Sequence, residues 1–361
     1  MFKLRTYCPP DFSAEQFKNC PDAVLKEAPA DGVAPFDYHS MSIFPEYFKC
    51  GGTWLLAEES RMDCCAVYKD GVVQVVEFRN LKKGDLVFTG RTEDGSEGIY
   101  VYPDGFRETR ENRDVFAFRG NRSRETAFSK DYDEIYDLLR YEKNHGKIVW
   151  VMGPAFAFDK DARTAMEKLV RAGYVHAILA GNALATHDLE AAWLGTALGQ
   201  DIYTGVSYPN GHYNHLDLIN RVRYYGSVRK FIDAEHIDNG IIYSCEECGV
   251  PYVLGGSIRD DGPLPPVYGN VYEAQDAMRS EIRGATTVIG MATMLHSIAT
   301  GNMTPSYRVL PDGTVRQVYF FYVDVAEFTV NKLSDRGSLS ARGIVTNVQD
   351  FIVNLANGLN L

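Results

Sequence analysis

The spacing of apolar positions changes once along the chain. The first 40 residues or so show little periodicity. From Thr53 to residue 102 the apolar residues come in short β-branched and aromatic runs separated by turn residues. Residues 53–57 read as a strand, and residues 63–69 and 72–78 flank Asp70-Gly71, a strong two-residue hairpin signal. Residues 82–85 read as another turn, followed by strands at 86–88 and 98–102. Short strands with turns between them predict a small barrel or sandwich. Residues 107–125 mix charges of both signs, a pattern expected of a solvated boundary segment.

Helical spacing begins near Asp131, where Ile135, Leu138 and Leu139 share a face. A strand at 147–152 ends in Gly153-Pro-Ala155. Next come an amphipathic helix through Ala162, Met166, Leu169 and Val170, stopped by Gly173, and a strand at 175–180. Helices are expected over 216–222 and from Ser227, strands at 240–244 and 250–254, then a helix over 273–283 and a strand at 286–290. A short helix starts at Ala292, Pro311-Asp-Gly313 forms a hairpin tip, a strand ends at Asp324, and an amphipathic helix covers 347–355. Alternating strands and helices imply a parallel sheet. The expected fold is α/β: a Rossmann-like domain over 129–361, preceded by a smaller β-rich domain over 1–128 that covers the substrate or mediates oligomerisation.

A chain of 361 residues suits two domains. No apolar run approaches the roughly 20 residues of a membrane span, and the start of the chain lacks the core of a signal peptide, so a cytoplasmic protein is expected. A net charge of -11 argues against nucleic-acid or anionic-membrane partners. The cysteine count, 7, is odd and follows no disulfide framework. Cys64 and Cys65 are vicinal, and Cys245-Glu-Glu-Cys248 is a lone C-x-x-C whose thiols read as buried and structural, ahead of a redox pair or half a metal site.

Walker A, G-x-S-x-G, H-E-x-x-H and G-x-G-x-x-G patterns are absent. The candidate chemistry lies in loops that end strands, where open α/β sheets bind ligands. Foremost is Gly255-Gly-Ser-Ile-Arg-Asp-Asp-Gly-Pro-Leu-Pro265, in which paired glycines permit close backbone approach and Arg259, Asp260 and Asp261 are displayed together. Gly153-Pro-Ala155, Gly181-Asn-Ala183, residues 293–296 and Asp324 belong to the same class. Helix starts after Ala183 and Ala292 would offer N–H groups to a pyrophosphate. Asp324 either holds a ribose hydroxyl or caps the helix after it. His187, close to Asp188 and Glu190, is an acid–base candidate, weighed evenly against a polar capping cluster. His212 and His215 have the spacing of a metal pair but no third ligand; structural or substrate-contacting roles are favoured over a metal site.

Residues 181–190, Gly195-Thr-Ala-Leu-Gly-Gln-Asp201, 255–265, Ala274-Gln-Asp-Ala-Met-Arg279, 292–299 and Asp335-Arg-Gly337…Gly343-Ile-Val-Thr346 resemble the archaeal-type ornithine cyclodeaminases. This family is also described by a LOR/SDH bifunctional-enzyme domain, and it forms the C-terminal half of bacterial arginine dihydrolase/ornithine cyclodeaminases. The resemblance is dense from Lys147 to Leu361 and thinner through the N-terminal part. Residues 307–317 look like an inserted hairpin, Asn347 stands where the family usually has Asp, and Phe36-Asp-Tyr38 replaces a more usual Asn-Phe-Tyr.

The resemblance implies NAD as cofactor, contacted by Asn182, Ala183, Asp261, Thr293, Met294, Leu295, His296, Asp324, Asn347 and Val348. It implies conversion of a small cationic amino acid, L-ornithine, to L-proline and ammonia through transient hydride transfer; a homo-oligomer is expected. Our role assignments within that scheme are Asp260, Glu190 or Asp188 for the substrate's positive charge, Arg259 for its carboxylate, and His187 or His296 as proton relay. Two other readings stand beside it: an NAD-linked amino- or imino-acid oxidoreductase with net cofactor turnover, and a non-catalytic NAD-binding protein.

Overall fold

The computed structural model describes residues 4–106, 129–260, 262–334 and 341–361. The charge-rich segment at 107–125, Asp261 and Asp335 to Gly337 lie outside the described residues.

The C-terminal region is built on one seven-stranded sheet, whose strands are β1 (Ile148–Met152), β2 (Ala177–Gly181), β3 (Tyr252–Gly255), β4 (Val267–Tyr268), β5 (Thr287–Met291), β6 (Tyr319–Asp324) and β7 (Ala341–Val345). All neighbours pair in parallel, in the order β4-β3-β2-β1-β5-β6-β7. The chain walks outward one way from β1, then returns to β1's other side with β5, which makes the β1–β5 boundary the topological switch point. The fold is Rossmann-like, as the strand–helix alternation predicts. Parallel strands buried on both faces require continuous apolar runs, and β1 and β5 are buried along their whole length. Trp150, Met152, Ile178, Leu254 and Ile289 face the larger core with the helices Lys160–Arg171 and Val348–Gly358. Val149, Val151, Leu179 and Val288 face the smaller core on the other side.

The N-terminal region holds a four-stranded and a three-stranded sheet. The hairpin at Asp70-Gly71 forms as expected between Cys64–Lys69 and Val72–Glu77, with both turn residues at positive φ, +51° and +86°. The hairpin formed by Tyr307–Val309 and Val315–Gln317 leaves the C-terminal sheet between β5 and β6 and fastens to the N-terminal region. Arg308 bridges to Glu59, Tyr307 donates its hydroxyl to Ala57 O at 2.9 Å, and Ser306 Oγ bonds Ile43 O.

One predicted strand is wrong. Residues 240–244 open a helix, Ile241–Cys248. A short apolar run cannot distinguish the two periods, and the deciding group is distant in sequence. Asp188 accepts from the N–H groups of Ile241 and Ile242 at 3.1 and 2.8 Å, capping the helix start from outside. Cys245 is consequently buried on the helix face while Cys248 is exposed at the end, so only one of that pair is a buried thiol.

Candidate functional site

Gly153 follows β1 and Ala292 follows β5, so the two residues flank the switch point. Gly153 N–H donates to Met291 O at 2.9 Å, and a Cβ on Gly153 would fall 1.9 Å from Ala292 O. The backbones touch because residue 153 has no side chain. Ala292 itself adopts φ +54°, an uncommon conformation for a residue with a Cβ and one that clusters at binding sites. Beyond this contact opens a cleft of about 800 Å³ along the carboxyl ends of β1, β2, β3 and β5. It is the size of a cofactor-plus-substrate site and occupies the position where open α/β sheets bind ligands.

Helix Asn182–Leu194 begins directly after β2 with Gly181 as its N-cap, and no side chain caps it. Its first N–H groups, at Asn182, Ala183 and Leu184, therefore meet the cleft those residues line. Asn182 is buried; its Oδ1 accepts from Leu264 N at 3.0 Å and from Thr186 Oγ1 at 3.3 Å, which ties the long loop after β3 to the helix start. Arg259 and Asp260 of that loop line the cleft. Asp260 Oδ2 accepts from Ser257 N at 2.8 Å, folding the loop back on itself. The Arg259 guanidinium has no partner among the described residues.

Across the cleft, Thr293 occupies the N-cap position of helix Met294–Met303 without a side-chain capping bond, and its Oγ1 lies 3.3 Å from His296 Nδ1. His296 packs over Gly181 and Gly255, where added Cβ atoms would meet its ring at 3.1 and 3.4 Å. Burial holds its pKa below the ordinary histidine value, which favours a neutral ring. Met294 and Leu295 are 49% and 74% exposed and do not line the cleft.

His187 points into the cleft, its ring 5.3 Å from Phe158 and 6.4 Å from His215. Glu190 lies beneath it, fully buried, outside the lining. Asp188 corrects an expectation. It faces the opposite side of the helix, pairs with Arg163 Nε at 2.8 Å and caps Ile241–Cys248, so it reaches no substrate. Three cofactor candidates also fall outside the lining. Asp324 accepts from Ala326 N at 2.8 Å and from Tyr322 Oη at 2.9 Å, a turn that leads into the next helix. Asn347 is the N-cap of Val348–Gly358, accepting from Gln349 N and Asp350 N at 2.7 and 3.2 Å, and Val348 is buried core. Asp324 and Asn347 cap and Val348 packs at the carboxyl ends of β6 and β7, the same edge of the parallel sheet as the cleft.

The sequence reading missed one wall. Helix Asn214–Tyr225 presents His215, Leu216, Ile219, Asn220 and Arg223 to the cleft. Their spacing is a helix face, and that periodicity was the available signal. His215 Nδ1 is buried without a hydrogen-bond partner, an orphan polar atom at the wall of a cleft. His212 lies on a preceding turn and is exposed, so the two histidines do not converge, and the described residues contain no cluster able to hold a metal ion. No helix among the described residues is long and apolar enough to cross a membrane.

Comparison with known proteins agrees with this geometry. The family described as arginine dihydrolase ArgZ-like, C-terminal, Rossmann fold matches residues 134–355. An ornithine cyclodeaminase of Methanocaldococcus jannaschii is 39% identical over 344 residues, covering 93% of this chain and 77% of that protein. A solved LOR/SDH protein of Methanococcus maripaludis S2 superposes with a TM-score of 0.83 at 36% identity, over 94% of this chain and 98% of that one. The ternary complex of AgrE with ornithine and NAD+ superposes with a TM-score of 0.58 at 34% identity, over 95% of this chain and 46% of that one. The chain belongs to the ArgZ-like C-terminal family, whose archaeal relatives include proteins named ornithine cyclodeaminase.

Proposed function

We propose that the protein is an NAD-dependent ornithine cyclodeaminase, converting L-ornithine to L-proline and ammonia. The observation that carries the reading is the cleft at the switch point, whose lining combines a helix start, two arginines, one aspartate and three histidines. Support comes from the AgrE complex, which holds ornithine together with NAD+.

The residues fit the cofactor. The uncapped N–H groups of Asn182, Ala183 and Leu184 suit a pyrophosphate, and the glycines at the strand ends allow close approach, Gly153 to Ala292 and Gly181 and Gly255 to the His296 ring. Bound there, a nicotinamide would accept an electron pair with the substrate's Cα hydrogen and later return it.

The chain's own groups would do the rest. Arg259 would hold the α-carboxylate, and Asp260, a carboxylate in the cleft lining, would hold the side-chain ammonium. His187 turns Nδ1 toward Glu190, which leaves Nε2 to take a proton from the α-ammonium. His215, with its free Nδ1, would receive or orient the leaving ammonia. The neutral His296 ring, packed over Gly181 and Gly255, would shield the reacting carbon from water.

An NMR time course with NAD+ and L-ornithine tests this. The expected outcome is proline and ammonia in equal amounts, over many turnovers, with no accumulation of NADH. Proline absent with NADH rising in step with substrate loss would replace the reading with an ordinary amino-acid dehydrogenase.

A further inference from the structure

A second cavity, about 380 Å³, lies where the N-terminal sheet, the hairpin of residues 307–317 and the end of helix Val271–Ile282 meet. It is separate from the switch-point cleft, sharing no lining residue with it. Its polar wall is made by Glu58, Glu59, Arg61, Gln74, Arg283 and Arg308.

Most of these charges are already paired. Arg61 donates through Nε to Glu59 at 2.9 Å and through Nη2 to Val75 O at 3.1 Å, and it also pairs with Glu77. Arg308 donates through Nη2 to Ile282 O at 3.0 Å and lies 3.8 Å from Glu59 Oε2. Four polar groups on the wall then remain without partners among the described residues: the Glu58 carboxylate, the Gln74 amide, the Arg283 guanidinium and the Nε–H of Arg308. That last atom is buried, and leaving a buried donor unmatched is costly. The cavity thus keeps one unmatched negative group and two unmatched cationic donors, and no ion pair joins Glu58 to Arg283.

We propose that this cavity binds a free α-amino acid, with its carboxylate on Arg283 and Arg308 and its ammonium on Glu58. A simple anion would satisfy the arginines and leave Glu58 facing it; a simple amine would do the reverse. A zwitterion matches both ends. The electrostatic stress has the same sense. Partial burial at the cavity wall, and then the neighbouring Glu59, push the Glu58 carboxyl up, and an ammonium relieves that. Burial pushes Arg308 down; Glu59 opposes that, Arg61 and Arg283 add to it, and a carboxylate would relieve the remainder. The ligand would span three parts of the chain, since its partners come from the segment after strand Thr53–Leu56, the inserted hairpin and the helix that follows the Arg259 loop.

Titration calorimetry of the full chain with the protein amino acids, and with acetate and methylamine as half-ligands, tests the assignment. At least one amino acid is expected to bind with a Kd of about a millimolar or tighter. Glu58→Gln and Arg283→Gln, both at exposed positions, are each expected to weaken it about tenfold, the scale of one charge-assisted contact. Arg259→Gln, which removes the proposed carboxylate contact of the main cleft, should leave this binding unchanged, and all titrations are made in that background. No amino acid binding, acetate binding as tightly as the amino acid, or binding that survives both substitutions would each overturn the proposal.

Discussion

His187 Nδ1 lies 3.3 Å from Glu190 Oε2, and that carboxylate also accepts from Thr196 Oγ1 at 2.8 Å and from the N–H groups of Leu198 and Gly199, both at 2.9 Å. A fully buried carboxylate is costly unless its oxygens are matched. Here burial pushes the Glu190 pKa up, but the bonds from His187, Gly199, Thr196 and Leu198 outweigh it and hold the carboxyl below the ordinary range. Glu190 is thus a positioning residue: it fixes the ring that faces the cleft and the loop that follows the helix.

Glu190→Gln sets an amide NH2 against donors. We expect kcat to fall about 10- to 100-fold, as for other groups that orient a site residue, with the KM for NAD nearly unchanged. The sign of the pH effect follows from the depressed pKa. The stabilisation from Glu190 is present above the unfolded carboxyl pKa, about 4.3, and is lost as pH falls through the lower folded value. Acid unfolding of the variant should be less steep than that of the parent. A variant with parental kcat would remove Glu190 from the proposed mechanism.

Asp188→Asn tests the reassignment of that residue. It strands Arg163 and weakens the cap on Ile241–Cys248, both in buried surroundings. Removing one partner of a buried pair costs about 3–5 kcal/mol, so thermal unfolding should move down sharply. The enzyme that remains folded should keep its KM values. An unchanged melting curve with activity abolished would return Asp188 to the catalytic group.

Gly153→Ala addresses the switch point. The new methyl would lie 1.9 Å from Ala292 O, far inside contact distance, so the two strand ends must part. Overpacking of this kind costs about 1–3 kcal/mol. Loss of NAD binding by calorimetry is expected to exceed what that destabilisation explains. Intact NAD affinity would show that the cofactor reading does not depend on this contact.

His39 gives the opposite pH signature. Its Nε2 lies 2.7 Å from Glu46 Oε2 with both side chains buried. Burial pushes the histidine down, but the Glu46 bond and charge overcome it and raise its pKa. The contribution is therefore complete below the unfolded histidine pKa of about 6.5 and is lost as pH rises through the higher folded value. Thermal melts of wild type and His39→Gln should converge on the alkaline side. Curves that stay parallel would assign the pair no pH-linked role.

Legibility in the sequence followed range of interaction. Local signals carried the Asp70-Gly71 hairpin, the Ser227 cap, whose Oγ accepts from Lys230 N at 3.2 Å, and the alternation that builds the parallel sheet. Strand ends with glycines marked Gly153, Gly181, Gly255 and Thr293 around one cleft. What failed depended on partners far along the chain. Asp188 could not be told from His187 as a site residue without knowing which face of the helix meets Ile241. Polar residues after strands serve as caps as readily as ligands, and Asp324 and Asn347 both make capping bonds. His215 and Arg223 needed the helix Asn214–Tyr225 to be placed against the loop after β3 before their shared face meant anything; Arg223 Nη1 bonds Pro263 O at 3.3 Å.

The hairpin carrying Tyr307 has a consequence for dissecting the molecule. Tyr307 is wholly buried, with its hydroxyl on Ala57 and its ring 6.4 Å from that of Phe106. A scissors cut between the β-rich and α/β portions would not give two finished pieces. The α/β fragment would keep an aromatic key without its lock, exposed midway between two central strands, and the β-rich fragment would keep an empty keyhole. The two portions are better treated as one folding unit, to be recombined between relatives only if the hairpin travels with the sheet that receives it.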